Sequence, residues 1–255
     1  MKRVLGILRI LIEIALVVAV VKLATRLPTA PVNWRSDVIY GIPTKEKVVA
    51  LTFDDGPHPT FTPELLKILD KYHVKATFFM IGREMEKHPE IVREVMARGH
   101  VIGNHTYTHP HDIEIDTETQ IIRELDLCEN TIEKITGKRS HLFRPPRGLV
   151  DSTVFMIAEE EGYPVILWTV SADHHDAPTP KDMAKRVLRL IRPGGIVLSH
   201  DGTACTRWKD VAATPMIIEE LKKRGYRFVT IPELLKMRPK FYIGTPEKIE
   251  SGKTP

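Results

Sequence analysis

The chain has 255 residues, 42% of them hydrophobic, and a formal net charge of +4 from 37 basic and 33 acidic side chains. That length and apolar content suit one folded unit of about 200 residues with appendages, and exclude a disordered or collagen-like chain. No basic stripe with interleaved aromatics supports a nucleic-acid partner, and Cys128 and Cys205 make neither a CxxC metal pair nor a disulfide framework.

Lys2 and Arg3 precede a mostly apolar run over 4–24, interrupted by Arg9, Glu13 and Lys22. A positive start ahead of an apolar run reads as an export signal or an uncleaved membrane-anchor helix. No small-x-small cleavage site follows, because Lys22 stands two positions before Ala24; this favours the anchor. The charges inside the run keep open a helix lying on the membrane surface. The expected organisation is a signal or anchor segment at 1–26, a linker at 27–45, a folded domain at 46–237 and a polar tail at 238–255.

Within the domain, strand-like apolar runs fall at 48–53, 76–81, 100–104, 142–143, 164–170, 195–199 and 227–230. Helical patterns at 63–72, 89–98, 118–136, 153–161, 180–191 and 215–224 separate them, and 231–237 closes the domain. Alternation of this kind predicts an α/β fold with about seven parallel strands. An open doubly wound sheet and a closed barrel both fit. In either, ligands sit beyond the carboxyl ends of the strands.

The unusual polar residues gather at that end. Asp54 and Asp55 follow the first run, His105 and His109 the third, Arg144 the fourth, 168–176 the fifth and His200 the sixth. Adjacent strand residues face opposite ways, but Gly56 and Pro57 force a turn that lets both aspartates face one cleft. Two close carboxylates repel, so one needs a metal, a cation or a proton. His105 and His109 have HxxxH spacing; on one helical turn they share a face and grip one ion. Imidazoles with one carboxylate suit zinc, cobalt or nickel and leave positions for water and substrate. His200 titrates near neutrality, as a general acid must. Arg144, stiffened by Pro145 and Pro146, is placed to hold a carboxylate bidentately.

The runs TFDDGP (52–57), HTYTH (105–109), RPPRG (144–148), the Trp168 segment and LSH (198–200) resemble the five ordered motifs of polysaccharide deacetylases. This is the NodB-type domain of carbohydrate esterase family four. The resemblance spans about residues 46–235, and KATFFMIG (75–82) and GHVIGNHT (99–106) add to it. It implies a distorted (β/α) barrel with fewer than eight strands. It implies Asp54 as catalytic base, and Asp55, His105 and His109 as ligands of a divalent metal, usually zinc and sometimes cobalt or nickel. Arg144 orients the base, and His200 is the general acid. Arg147 stands where the family has tyrosine and offers its backbone N–H to the oxyanion; Leu198 lines the acetyl-methyl pocket and Trp168 the substrate side.

The fourth motif departs from the pattern. Ser171 and His174 fall where aspartates are expected, and His175 where a tryptophan is, leaving Asp173 or Asp176 to tune His200. The implied function is removal of N-acetyl groups from a peptidoglycan- or chitin-like polysaccharide by a monomer on the outer side of the membrane. An O-acetyl xylan esterase on the same site, and a silent glycan-binding protein, are the alternatives.

Overall fold

The computed structural model describes residues 37–113, 117–202 and 204–238. The segment 1–26 and all but Arg238 of the tail lie outside the described residues; among those described, no helix is long and apolar enough to cross a membrane.

The elements run β1 Val48–Asp54, α1 Phe61–Lys71, β2 Thr77–Met80, α2 Gly82–Lys87, α3 Pro89–Ala97, β3 Val101–Asn104 and α4 Glu118–Thr136. They continue as α5 Ser152–Glu160, β4 Val170–Ser171, α6 Pro180–Leu190, β5 Gly195–His200, α7 Trp208–Lys223, β6 Arg227–Val229 and α8 Ile231–Lys236. The α/β alternation and the parallel pairing are as expected; the strand count is not. Among the described residues the sheet has six strands, ordered β3-β2-β1-β5-β4, with β6 also on β1.

β1 organises the sheet. β5 runs along one of its edges from Val49 to Asp54, so β6 (at 48–50) and β2 (at 52–54) divide the other. Beyond β3, single bridges carry the ladder from Asn104 to Phe143 and from Phe143 to Val165, while Val170 and Ser171 pair with β5. The stretch 165–171 thereby meets both flanks of the sheet, which curls as a barrel does.

The expected strands at 142–143 and 164–170 are reduced to these bridges plus the two residues of β4. Pro145, Pro146 and Pro164 remove ladder donors. The Arg144 side chain also takes the carbonyls of Ile166 and Leu167 that a partner strand would use. A second difference is α7, expected from 215 but beginning at Trp208 with Pro215 inside it.

Side-chain alternation divides β1 between two environments. Val49, Leu51 and Phe53 pack outward, with Phe78 and Met80, against leucines of α1 and residues of α3, α4, α6 and α7. Val48 and Ala50 face inward with Phe79, Ile166 and Ile196. Further along the inner face come Thr52 and Asp54, level with Leu198 and His200 of β5. The barrel interior is thus apolar at one end and polar where the strands stop.

Gly103 of β3 makes room for Phe79: a Cβ there would lie 2.4 Å from the Phe79 ring. Phe79 in turn carries the Arg144 guanidinium 4.1 Å above its ring. Gly103→Ala is therefore expected to lower stability by roughly 1–3 kcal/mol through overpacking, read as a lower urea midpoint. Phe79→Leu in the same chain should recover part of the loss; an unchanged midpoint for Gly103→Ala would refute the close-packing account.

Candidate metal centre and the carboxylates around it

β1 ends by delivering Asp54 to the inner face, buried, with its carbonyl accepting from Asp201 N–H at 3.0 Å. By alternation Asp55 belongs to the opposite face. It instead adopts φ 72°, in the left-handed region, and the cis peptide Gly56–Pro57 follows. That break turns both carboxylates to the same end of the sheet. Gly202 passes so close that a Cβ on it would meet the Asp55 Cβ at 2.1 Å, a site for glycine alone.

The two histidines do not lie on a helix, contrary to expectation. His105–His109 is a loop after β3, and Thr106 (φ 64°) and His109 (φ 58°) both hold left-handed backbone. Such conformations need outside support, and α4 provides it. Glu124 accepts from the backbone N–H groups of Tyr107 and Thr108 (2.9 and 2.7 Å) and from the Thr108 hydroxyl (2.8 Å). The Asn104 side chain accepts from Thr106 N–H at 2.9 Å and donates to the Leu125 carbonyl at 2.9 Å. A Thr117–Gln120 capping box starts α4 and Gly137 in left-handed conformation ends it, so the helix is well fixed.

The loop brings His105 Nε2 and His109 Nε2 each to 3.4 Å from Asp55 Oδ1. The three donor atoms all lie within 4.8 Å of one another. Ligands about 2.0–2.1 Å from one tetrahedral zinc stand roughly 3.3–3.4 Å apart, so the spacing fits a shared ion. His105 Nδ1 is 2.7 Å from the Arg144 carbonyl, to which it donates, leaving Nε2 free as a ligand. Burial, then His105, holds the His109 imidazole below its usual pKa. Burial alone would raise the Asp55 carboxyl; the imidazoles of His105, His200 and His109 around it outweigh that and hold the group well below the carboxylate range.

Arg144 is 0% exposed, and every polar bond it makes is internal. Nη1 donates to Asp54 Oδ1 at 2.6 Å and to Thr52 Oγ1 at 2.9 Å, while Nε and Nη2 donate to the carbonyls of Ile166 and Leu167, each at 3.0 Å. It therefore grips Asp54 through one nitrogen rather than bidentately, because the strand-poor stretch 164–167 claims the rest of the fork. Burial lowers its pKa, and Asp54 opposes that.

On the other flank, His200 Nδ1 lies 3.0 Å from Asp173 Oδ2, close but off the line of a hydrogen bond. Burial lowers the imidazole pKa and Asp173 outweighs it, for a net rise. Burial raises the Asp173 carboxyl, but His200 and Arg207 bring it down to about 2. Ser171 Oγ fixes Asp173 Oδ1 at 2.9 Å. Asp176 turns elsewhere, to His174 Nδ1 at 2.9 Å and to Arg186. Leu198 is buried on the face of His200. Trp168 packs on Gly148, where a Cβ would touch the ring at 2.5 Å, and supports the Arg144–Gly148 loop. Arg147 has φ 57°, and its side chain lies at the exposed rim against His111 and Asp112.

Four neighbours were not foreseen. Glu124 braces the histidine loop as described. Asp210 accepts from Ser199 Oγ (2.8 Å) and His200 N–H (3.1 Å). Arg207 reaches Asp173 and Asp55. Asp201 is buried, accepts from Thr62 Oγ1 at 2.5 Å, and is pushed up to about 7 by burial, against Thr62 and with Asp55 and Asp54. Only Asp201, next to His200 in the chain, carried a signal by position. A second cluster of ligand-type atoms, Asp173, His200 and Asp210, is also close-set, but the Arg207 guanidinium already sits against its carboxylates.

The signature of the polysaccharide deacetylase family matches residues 41–166. A peptidoglycan-N-acetylglucosamine deacetylase of Bacillus cereus is 40% identical over 216 residues, covering 83% of this chain and 96% of that one. The crystal structure of a peptidoglycan N-acetylglucosamine deacetylase in complex with 4-naphthalen-1-yl-N-oxidanyl-benzamide superposes with a TM-score of 0.74 at 34% identity, over 78% of this chain and 92% of that one. A wild-type CE4 family pseudoenzyme of Bacillus anthracis superposes at 0.71 and 32% identity, over 77% and 68% of the two chains. This chain belongs to the polysaccharide deacetylase family, for which metal-dependent hydrolysis is typical.

Glu124→Ala removes the acceptor of two backbone N–H groups behind the histidine loop. It is expected to weaken zinc binding by about 10–100-fold, the usual effect of losing a residue that supports metal ligands, in a calorimetric titration of the apoprotein. Unaltered zinc affinity would show that the loop holds its shape without α4.

Proposed function

We propose that this chain hydrolyses N-acetyl groups of an N-acetylglucosamine-type cell-wall polysaccharide and releases acetate. The observation that carries this is the convergence of Asp55, His105 and His109 on one point, flanked by the Asp54–Arg144 pair and the His200–Asp173 pair. The relatives named for peptidoglycan deacetylation support peptidoglycan as the polymer. Zinc suits one carboxylate and two imidazoles, with cobalt or nickel as substitutes. The deacetylase domain is 46–237; the segment 1–26 would hold the monomer at the outer membrane face, where such a polymer lies.

Asp55, His105 and His109 would hold a divalent ion, which would supply Lewis-acid chemistry to the acetamide carbonyl and to water. The side chains do the rest. Asp54, held by Arg144 in a buried site, takes the proton of the attacking water. The backbone N–H of Arg147 is the donor offered to the developing oxyanion. His200, whose pKa rises because Asp173 outweighs burial, gives its proton to the departing amine nitrogen, so that acetate and a free amino sugar leave. Leu198 is the apolar wall for the acetyl methyl. The proximity of Asp173 to His200 argues against a silent glycan-binding protein, whose support was the altered fourth motif.

The test is acetate release from peptidoglycan and N-acetylglucosamine oligomers, with acetylated xylan as the competing ester substrate. Chelator should abolish release and zinc restore it. Asp54→Asn should keep zinc and lose activity by about 10²–10⁴-fold; full activity in that variant would overturn the assignment. Because Asp173 raises the His200 pKa, and a general acid works only while protonated, Asp173→Asn should shift the alkaline limb of the pH–kcat profile to lower pH. A limb that stays in place would remove Asp173 from this role.

A further inference from the structure

We infer that Arg207 is a positioning residue that couples the metal-ligand carboxylate to the acid-side pair, an inference that rests on the deacetylase reading above. Arg207 sits at the N-cap of α7, where the rigid link from Asp210 to Ser199 and His200 fixes the helix against the end of β5. From there its guanidinium divides. Nη1 donates to Asp173 Oδ2, the same oxygen that lies 3.0 Å from His200 Nδ1, and Nη2 lies 3.4 Å from Asp55 Oδ2. Asp210 Oδ2 is 3.8 Å from Nη1.

Charge explains why such a bridge is needed. Asp54, Asp55, Asp173, Asp201 and Asp210 meet in one largely buried region, where repulsion is weakly screened. Arg144 is committed to Asp54 and to carbonyls. Of the other four, Asp55 and Asp173 are reached by the Arg207 guanidinium. By holding Asp55 Oδ2, it leaves Oδ1 facing His105 and His109. By holding Asp173, it fixes the carboxylate against which His200 is oriented. The planar fork does both at once through separate nitrogens; a lysine ammonium meets one carboxylate or the other.

The experiment uses the full chain loaded with zinc, with kcat and KM for N-acetylglucosamine oligomers measured separately and urea midpoints alongside. Arg207→Ala should lower kcat by about 10–100-fold and leave KM within about 2-fold, as expected for a residue acting behind the reacting groups. Arg207→Lys should recover only part. Millimolar guanidinium should raise the kcat of Arg207→Ala several-fold and leave Arg207→Lys unmoved. In an Asp173→Asn background the Arg207→Ala effect should shrink, since one of its two partners is gone. A zinc titration reads the Asp55 arm without catalysis: Arg207→Ala should bind zinc more weakly than wild type. Wild-type kcat in Arg207→Ala, or a loss that tracks the urea midpoint and ignores guanidinium, overturns the inference. If the wild-type protein releases no acetate, the deacetylase reading fails by itself, and the zinc titration decides the Arg207–Asp55 coupling: weaker binding supports it and equal binding ends it.

Discussion

The guanidinium of Arg144, fully buried at the polar end of the barrel, is the constraint around which the rest is arranged. Taking such an ion out of water costs about several kcal/mol even after relaxation. The structure offsets this with one carboxylate, one hydroxyl, two carbonyls and the face of Phe79. Each partner has a structural consequence. The carbonyls come from 166 and 167, so that stretch forgoes regular strand pairing. The carboxylate is Asp54, so the end of β1 is fixed. The ring is Phe79, so β3 needs a glycine opposite it. The irregular side of the sheet thus follows from satisfying one buried cation.

Carboxylates are the second half of the same account. Asp54 has Arg144; Asp55 has two imidazoles and a share of Arg207; Asp173 has His200 and the rest of Arg207. Among the described residues Asp201 has only the Thr62 hydroxyl, and its Oδ1 has no hydrogen bond. A buried carboxyl so poorly provided for favours its proton, in keeping with its rise to about 7. With its proton raised above the unfolded value, it adds stability at acid pH that is lost as pH rises towards 7.

Legibility in the sequence followed the range of the interaction. β1 and β5 were plain, because a continuous apolar run buried on both faces is a local pattern. Asp54, Asp55, His105, His109 and His200 were plain because each ends such a run. The histidine loop was misjudged as helical: the spacing of four is right, but convergence comes from left-handed backbone at Thr106 and His109, held by Glu124 from 15 to 19 residues further along the chain. The weak strands at 142–143 and 164–170 read as strands from their apolar content, while the competition came from a side chain, Arg144, acting at long range. Arg207 and Asp210 lie beyond a loop, on a helix expected to begin only at 215, so nothing in their spacing marked them.

The fourth motif shows what the fold demands as distinct from what the chain order suggests. Asp173 and Asp176 were equal candidates in the sequence, being separated only by His174 and His175. The structure separates them through their neighbours. Ser171, the last residue of β4, keeps Asp173 turned in by its hydroxyl, and Arg207 approaches the same carboxylate from the opposite side. Asp176 is drawn outward by His174 and Arg186. What His200 needs is a carboxylate oxygen near Nδ1, and the backbone after a two-residue strand is short enough to present it from a shifted position. On the proposed deacetylase reading, a histidine at the place of a family aspartate is then tolerable, because Asp173 beside it brings a carboxylate to His200.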